Sequence, residues 1–137
     1  MDIVKLGIVG FYLGLNALLL VWFVFKVVGL RRREQVSLGD GGNKHLQRVM
    51  RGHANAAETM PIFFIMLSVA ALINTPGFVL HIFGALFTAG RVYHALFFVR
   101  EKSGFNPRYY GMLLTLIAIG GLALGLIGHG IFVMVGG

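Results

Sequence analysis

The chain has 137 residues, 57% of them apolar and only 12% charged, with no cysteine and a formal net charge of +7. A soluble domain carries about 25% charged residues; the low charge and a mean hydropathy of +0.81 argue against a water-soluble globule. The absence of cysteine excludes disulfides and thiol chemistry by the protein itself. The basic excess is split among short segments between apolar runs, unlike the single basic face of a nucleic-acid binder, so no nucleic-acid partner is expected.

Residues 6–25 contain no charged side chain, and Asn16 is their only strongly polar one. A run of roughly 20 apolar residues crosses the hydrocarbon core as a helix. It is too long for a signal peptide and no small-residue cleavage pattern follows it, so an uncleaved first span is expected. Residues 31–44 then carry Arg31, Arg32, Arg33 and Glu34, followed by Ser37-Leu-Gly-Asp-Gly-Gly-Asn43. Clusters of glycine with Asp and Asn mark a loop.

Residues 60–73 are almost all apolar but too few to span. A second helix reaches full length only by taking the charged residues before it into the membrane. Asn74-Thr-Pro-Gly77 is a tight, uncharged turn, and the apolar stretch over residues 77–99 is broken only by Arg91 and His94 together with His81. Residues 100–108, with Gly104 and Pro107, form a third connection, and residues 109–128 are again free of charge. The expectation is one all-α domain over residues 1–137, an integral membrane four-helix bundle with spans at approximately 4–30, 46–74, 77–99 and 108–135. Neither an internal repeat nor a low-complexity tract is present.

Four spans put the first and third loops on one side of the membrane and the middle turn with both termini on the other. Arg31, Arg32, Arg33, Lys44, Arg48, Arg51, Arg100, Lys102 and Arg108 fall on the first side, against Lys5 on the second. By the positive-inside rule the basic loops are cytoplasmic and both termini lie opposite. The charge also suits anionic headgroups of membrane lipid or an anionic ligand.

Arg48, Arg51, Asn55 and Glu58 follow one another at intervals of three, four and three, which aligns them on one helix face. An internal Arg–Glu salt bridge is one reading of the set. A functional site is the other, because ionisable residues inside spans are costly. Arg91 lies nine residues before Arg100, roughly 13 Å deeper at helical rise, which is deep for snorkelling. His94 is three residues further on the same face, and Arg108 opens the fourth span at the membrane level of Arg51. Guanidinium forks suit carboxylates and phosphates, and a single Glu among them suits an ammonium, so the set points to an anionic, zwitterion-bearing small molecule. No metal site is expected, since His53, His81 and His94 lack compact ligand spacing.

Arg48-x-x-Arg51-Gly-His53-Ala-Asn55-x-x-Glu58-x-x-Pro61 resembles the signature of the MAPEG family, the membrane-associated proteins of eicosanoid and glutathione metabolism. The stretch from the Arg31 triplet to Asn43 resembles the first loop of its bacterial members, and Gly90-Arg91-Val-Tyr-His94 resembles its third-helix motif. The similarity covers essentially the whole chain. It implies a homotrimer, as in bacterial relatives of microsomal glutathione transferases, placed in the inner membrane and serving detoxification. Glutathione would bind as co-substrate between neighbouring subunits on the cytoplasmic side. By position it implies Arg51, Asn55 and Glu58 as glutathione contacts with His53 beside them, Arg91 and His94 as third-helix contacts, and Arg108 as the catalytic arginine facing the thiol. Phe98 departs from the family pattern, which often has tyrosine there.

A cation favours the reactive thiolate, and Arg108 at a helix start would add the helix dipole. The partner would be a lipophilic electrophile, conjugated by the glutathione thiol, or a lipid hydroperoxide reduced by it. Two rivals remain at this level: a non-catalytic lipid- or glutathione-binding membrane scaffold, and a proton-coupled exporter using Glu58.

Overall fold

The computed structural model describes residues 2–101 and 105–136. Four helices follow one another: α1 (Ile3–Arg33), α2 (Lys44–Leu72), α3 (Gly77–Val99) and α4 (Phe105–Met134). All four are long and apolar enough to cross a membrane. The expected position of Lys102 lies outside the described residues.

Local chemistry sets the helix ends. Asp2 caps α1 by accepting from the Val4 amide at 3.0 Å, and Asn43 caps α2 by accepting from the His45 and Leu46 amides at 3.0 and 2.9 Å. Such side chains satisfy amides that have no partner inside the helix. Arg31, Arg32 and Arg33 occupy the last turn of α1, where cations complement the negative end of the helix dipole. On the far side of the membrane, Lys5 donates to the Asn74 carbonyl at 3.1 Å and to the Asn74 side-chain oxygen, tying α1 to the α2–α3 turn. Asn74 itself has φ 68°, a left-handed conformation that asparagine tolerates.

α3 packs most extensively on α4 and α1 on α2, with α2 and α3 meeting along the middle; among the described residues α1 and α4 do not touch. The centre is aromatic. Phe63 of α2 and Phe87 of α3 stack with ring centroids 3.8 Å apart, and Phe64 meets Phe87 edge-on at 5.8 Å. The outer surface is apolar as well: Leu18, Phe25, Ile65, Phe78, Leu116, Leu124 and Ile127 are all exposed. That inversion of the soluble pattern is what a lipid solvent requires.

The interior is polar at two levels. Towards the side of the termini, the Tyr12 hydroxyl meets His81 Nδ1 at 3.1 Å. The buried Asn16 donates to the Tyr12 carbonyl at 2.9 Å and to the Thr88 hydroxyl at 2.7 Å, joining α1 to α3. The second level lies towards the basic loops and contains the candidate site.

Candidate functional site

Arg48, Arg51, Asn55 and Glu58 share one face of α2, as their spacing requires, and that face lines an open cavity of about 870 Å³. α3 contributes His94, Phe97 and Phe98, and α4 contributes Arg108, Tyr109, Met112, Leu113 and Leu116. One wall is therefore cationic and hydrogen-bonding, and the other is greasy. A cavity of this size lies within the usual range for small-molecule sites, roughly 300–1,000 Å³.

Arg51 and Glu58 are exposed to the cavity and have no hydrogen-bond or ion-pair partner among the described residues. The internal Arg–Glu salt bridge allowed by the spacing is thus not formed among the described residues. Arg108 stands in the first turn of α4, just after Pro107. Its guanidinium carbon lies 5.9 Å from the centroid of the Phe97 ring, with the guanidinium of Arg48 at 4.7 Å from the same ring. Phe97 therefore gathers two cations at the mouth of the cavity through its ring face.

Arg48 has a second task. It donates to the carbonyl oxygens of Phe97 and Arg100, and to that of Glu101 at 3.3 Å. These lie at the C-terminal end of α3, where carbonyls have lost their helical partners. A cation there satisfies them and secures the chain as it leaves the helix.

Arg91 is placed differently from the other arginines. It is fully buried, at 0% exposure, and does not line the cavity. Its Nη2 donates to Asn55 Oδ1 at 2.9 Å and meets His94 Nδ1 at 3.1 Å, while Nε and Nη1 have no partner among the described residues. Asn55 and His94 separate it from the open volume. His53 lies outside the lining as well: it is half-buried, with its ring centroid 6.4 Å from that of Phe23 on α1. Of the seven expected site residues, the structure brings Arg51, Asn55, Glu58, His94 and Arg108 to one cavity, sets Arg91 directly behind it, and puts His53 against α1.

Of the aromatic part of the lining, the sequence pointed only to Phe98, through its departure from the family pattern. Phe97, Phe98 and Tyr109 flank the motif residues, and only the crossing of α3 with α4 brings them together. Arg48 was legible as a member of the aligned α2 face, but its hold on the end of α3 was not. Phe98 is buried, its ring 4.9 Å from that of His94, so the cavity has no hydroxyl at this point. Among the described residues no three His, Asp or Glu side chains stand close enough to share a metal ion.

Comparison with known proteins agrees with this architecture. An inner membrane protein, YecN, from Escherichia coli K12 is 35% identical over 112 residues, covering 78% of this chain and 86% of its own length. Its counterpart from Escherichia coli O6:H1 is similar to the same degree. The sequence also matches the MAPEG family over residues 9–128, a stretch that contains the whole polar face of α2, both cavity-forming segments of α3 and α4, and the buried Arg91. With four membrane-length helices and that match over most of its length, the chain belongs to the MAPEG family.

Proposed function

We propose that this protein is a glutathione-dependent transferase or peroxidase of the bacterial inner membrane, working as a homotrimer with its basic loops in the cytoplasm. The observation that carries the reading is the two-sided cavity: Arg51, Glu58 and Arg108, without hydrogen-bond or ion-pair partners among the described residues, on one side, and Phe98, Met112, Leu113 and Leu116 on the other. Glutathione carries two carboxylates, one ammonium group and a thiol, for a net charge of −1 near neutral pH. Arg51 would take a carboxylate through its fork, Glu58 the ammonium, and Asn55 and His94 the polar backbone of the peptide. The apolar wall would receive a lipophilic electrophile or lipid hydroperoxide arriving from the bilayer.

Chemistry falls to Arg108. Its charge and the N-terminal end of α4 both favour an anion, so a thiol placed there loses its proton more readily. The thiolate then attacks an electrophilic carbon, forming a carbon–sulfur bond as the leaving group departs with its electron pair. With a hydroperoxide, sulfur attacks the terminal oxygen and the O–O bond breaks to give a sulfenic acid and an alkoxide. The alkoxide takes up a proton and leaves as the alcohol, and a second glutathione thiol displaces the sulfenic hydroxyl as water, forming the disulfide.

Family membership supports glutathione as the thiol, and the name of the YecN relative supports an inner-membrane location. Trimerisation is supported by Gly7, Gly10 and Gly14, which lie along one side of α1 with open space beside them inside the subunit. Small residues of that kind let membrane helices approach closely. The deciding experiment is turnover of a chromogenic aryl halide, and separately of a lipid hydroperoxide, with glutathione in detergent. Activity with either supports the proposal. Glutathione binding with no turnover of both would favour a non-catalytic scaffold, and no response to millimolar glutathione would overturn the reading.

A further inference from the structure

We infer that Arg91 acts on the cavity's ligand only through Asn55 and His94, locking both as hydrogen-bond donors towards it, and so helps to select an acceptor-rich anion. The identity of that ligand rests on the glutathione reading above; the orienting role rests on the geometry of the three side chains.

Arginine has only donors. The two N–H groups of Arg91 Nη2 face Asn55 and His94 at 2.9 and 3.1 Å, so each facing atom must accept. For Asn55 this fixes the amide with Oδ1 towards Arg91, leaving the Nδ2 amino group with its two donors for the cavity that Asn55 lines. For His94 it requires Nδ1 to be bare, so the ring carries its proton on Nε2. A histidine tautomer is set in this way by what its other nitrogen meets. Neither choice belongs to the isolated side chain: an amide can turn over and a neutral imidazole can exchange tautomers at little cost.

The consequence is chemical. Arg51 and Arg108 are donors by nature, and Asn55 and His94 become donors by orientation, leaving Glu58 as the one anionic acceptor among the described residues of the lining. Carboxylates and peptide carbonyls fit such a surface, and a donor-rich ligand does not. Arg91 suits the orienting task because it is fully buried behind both residues and pairs with no carboxylate among the described residues. Among the described residues its guanidinium hydrogen-bonds only to the two groups that it turns.

Asn55→Asp separates this role from simple contact. The aspartate keeps an oxygen towards Arg91, adds the missing counter-charge and replaces the cavity-facing donors with an acceptor. Thermal unfolding and glutathione titration of the intact protein in detergent should show a raised unfolding midpoint with at least a tenfold loss of affinity. An Asn55 that instead gave its oxygen to the ligand's ammonium would keep or gain affinity in the Asp variant, and that result overturns the proposal. A second measurement needs no ligand: ¹⁵N NMR of histidine-labelled protein, with His94 assigned from the signals lost in His94→Phe. The wild type should show protonated Nε2 and bare Nδ1, and Arg91→Met a mixture of tautomers. A proton on Nδ1 in the wild type, or an unaltered tautomer in a folded Arg91→Met, overturns the proposal; if that variant does not fold, the wild-type spectrum and Asn55→Asp decide. The expected wild-type tautomer in a protein that ignores glutathione supports the orienting role and sinks the glutathione reading alone.

Discussion

Gly111 of α4 lies against the backbone of His94 on α3: a methyl group built on Gly111 would come within 2.5 Å of the His94 amide nitrogen and 2.7 Å of its Cα. One turn away the contact is reciprocated, since a methyl group on Gly90 of α3 would stand 2.9 Å from the Thr115 amide nitrogen and 3.0 Å from the Gly111 carbonyl oxygen. Two helices thus touch backbone to backbone beside the cavity, and this crossing sets how far Arg108 stands from His94. Helix backbone cannot step aside as a flexible side chain can. Gly111→Ala should therefore wedge α3 from α4 and destabilise the fold by about 1–3 kcal/mol, the usual range for overpacking. Thermal unfolding in detergent measures the loss, and glutathione turnover should fall with it. A variant as stable and active as the wild type would mean that the crossing is looser than described.

Arg108 should matter to chemistry more than to binding. A cation prearranged for a developing thiolate contributes in the reaction, while one that grips a carboxylate contributes to affinity. Arg108→Ala should lower turnover at saturating glutathione by roughly 10²–10³-fold, as for the loss of one preorganised electrostatic group. Arg51→Ala should instead weaken binding by about 1.5–3 kcal/mol, the range for hydrogen bonds to charged groups. Thiolate absorbance of the bound complex near neutral pH should fall in the first variant and persist, at saturation, in the second. Unchanged turnover in a folded Arg108→Ala would reduce Arg108 to a helix-end cation held by the Phe97 ring and lipid headgroups.

Phe98 offers a test by addition. Its ring lines the cavity beside His94, so Phe98→Tyr places a hydroxyl in the lining without a large change in shape. One more donor to a bound thiolate falls in the same range of about 1.5–3 kcal/mol for hydrogen bonds to charged groups, which corresponds to a rise in turnover at neutral pH of roughly tenfold or more. Stopped-flow measurement of thiolate formation is the direct check. A fall in both affinity and turnover would show instead that the hydroxyl is buried without a partner.

The glycine face of α1 tests assembly. Gly10 is exposed, with nothing within 4 Å of a built methyl group, so Gly10→Leu should be tolerated within one chain. If Gly7, Gly10 and Gly14 face another copy, the native mass spectrum in mild detergent should shift from trimer towards monomer with helical circular dichroism unchanged. A trimer that survives the substitution would put this face against lipid.

The polar face of α2 was legible from spacing alone. At 3.6 residues per turn, Arg48, Arg51, Asn55 and Glu58 must share one side of a helix whatever packs around it. The same rule separates His53, because residues two apart do not face each other on a helix; the resemblance named it, and periodicity alone would have set it elsewhere. Arg91 and His94 were likewise recognisable as a same-face pair on α3. That Arg91 would be sealed behind Asn55 was not, since the helix period says nothing about which neighbour closes over a face.

Hydropathy and charge need no partner to be read, so the four membrane-length helices, and the basic residues clustered at the helix ends around the first and third connections, were legible along the chain. Which α2 side chains stand together was legible too, because helical geometry is local. Packing, by contrast, fixes which of the polar groups line the cavity and which stand behind it. That outcome depends on the Gly90 and Gly111 crossing and on the stacking of Phe63 with Phe87, contacts between residues far apart in sequence whose consequence is one helix's position relative to the next. Arg48 shows the division within a single residue. Its place on the α2 face follows from counting, while its hold on the last carbonyls of α3 exists only because packing carries those carbonyls to within reach of its guanidinium.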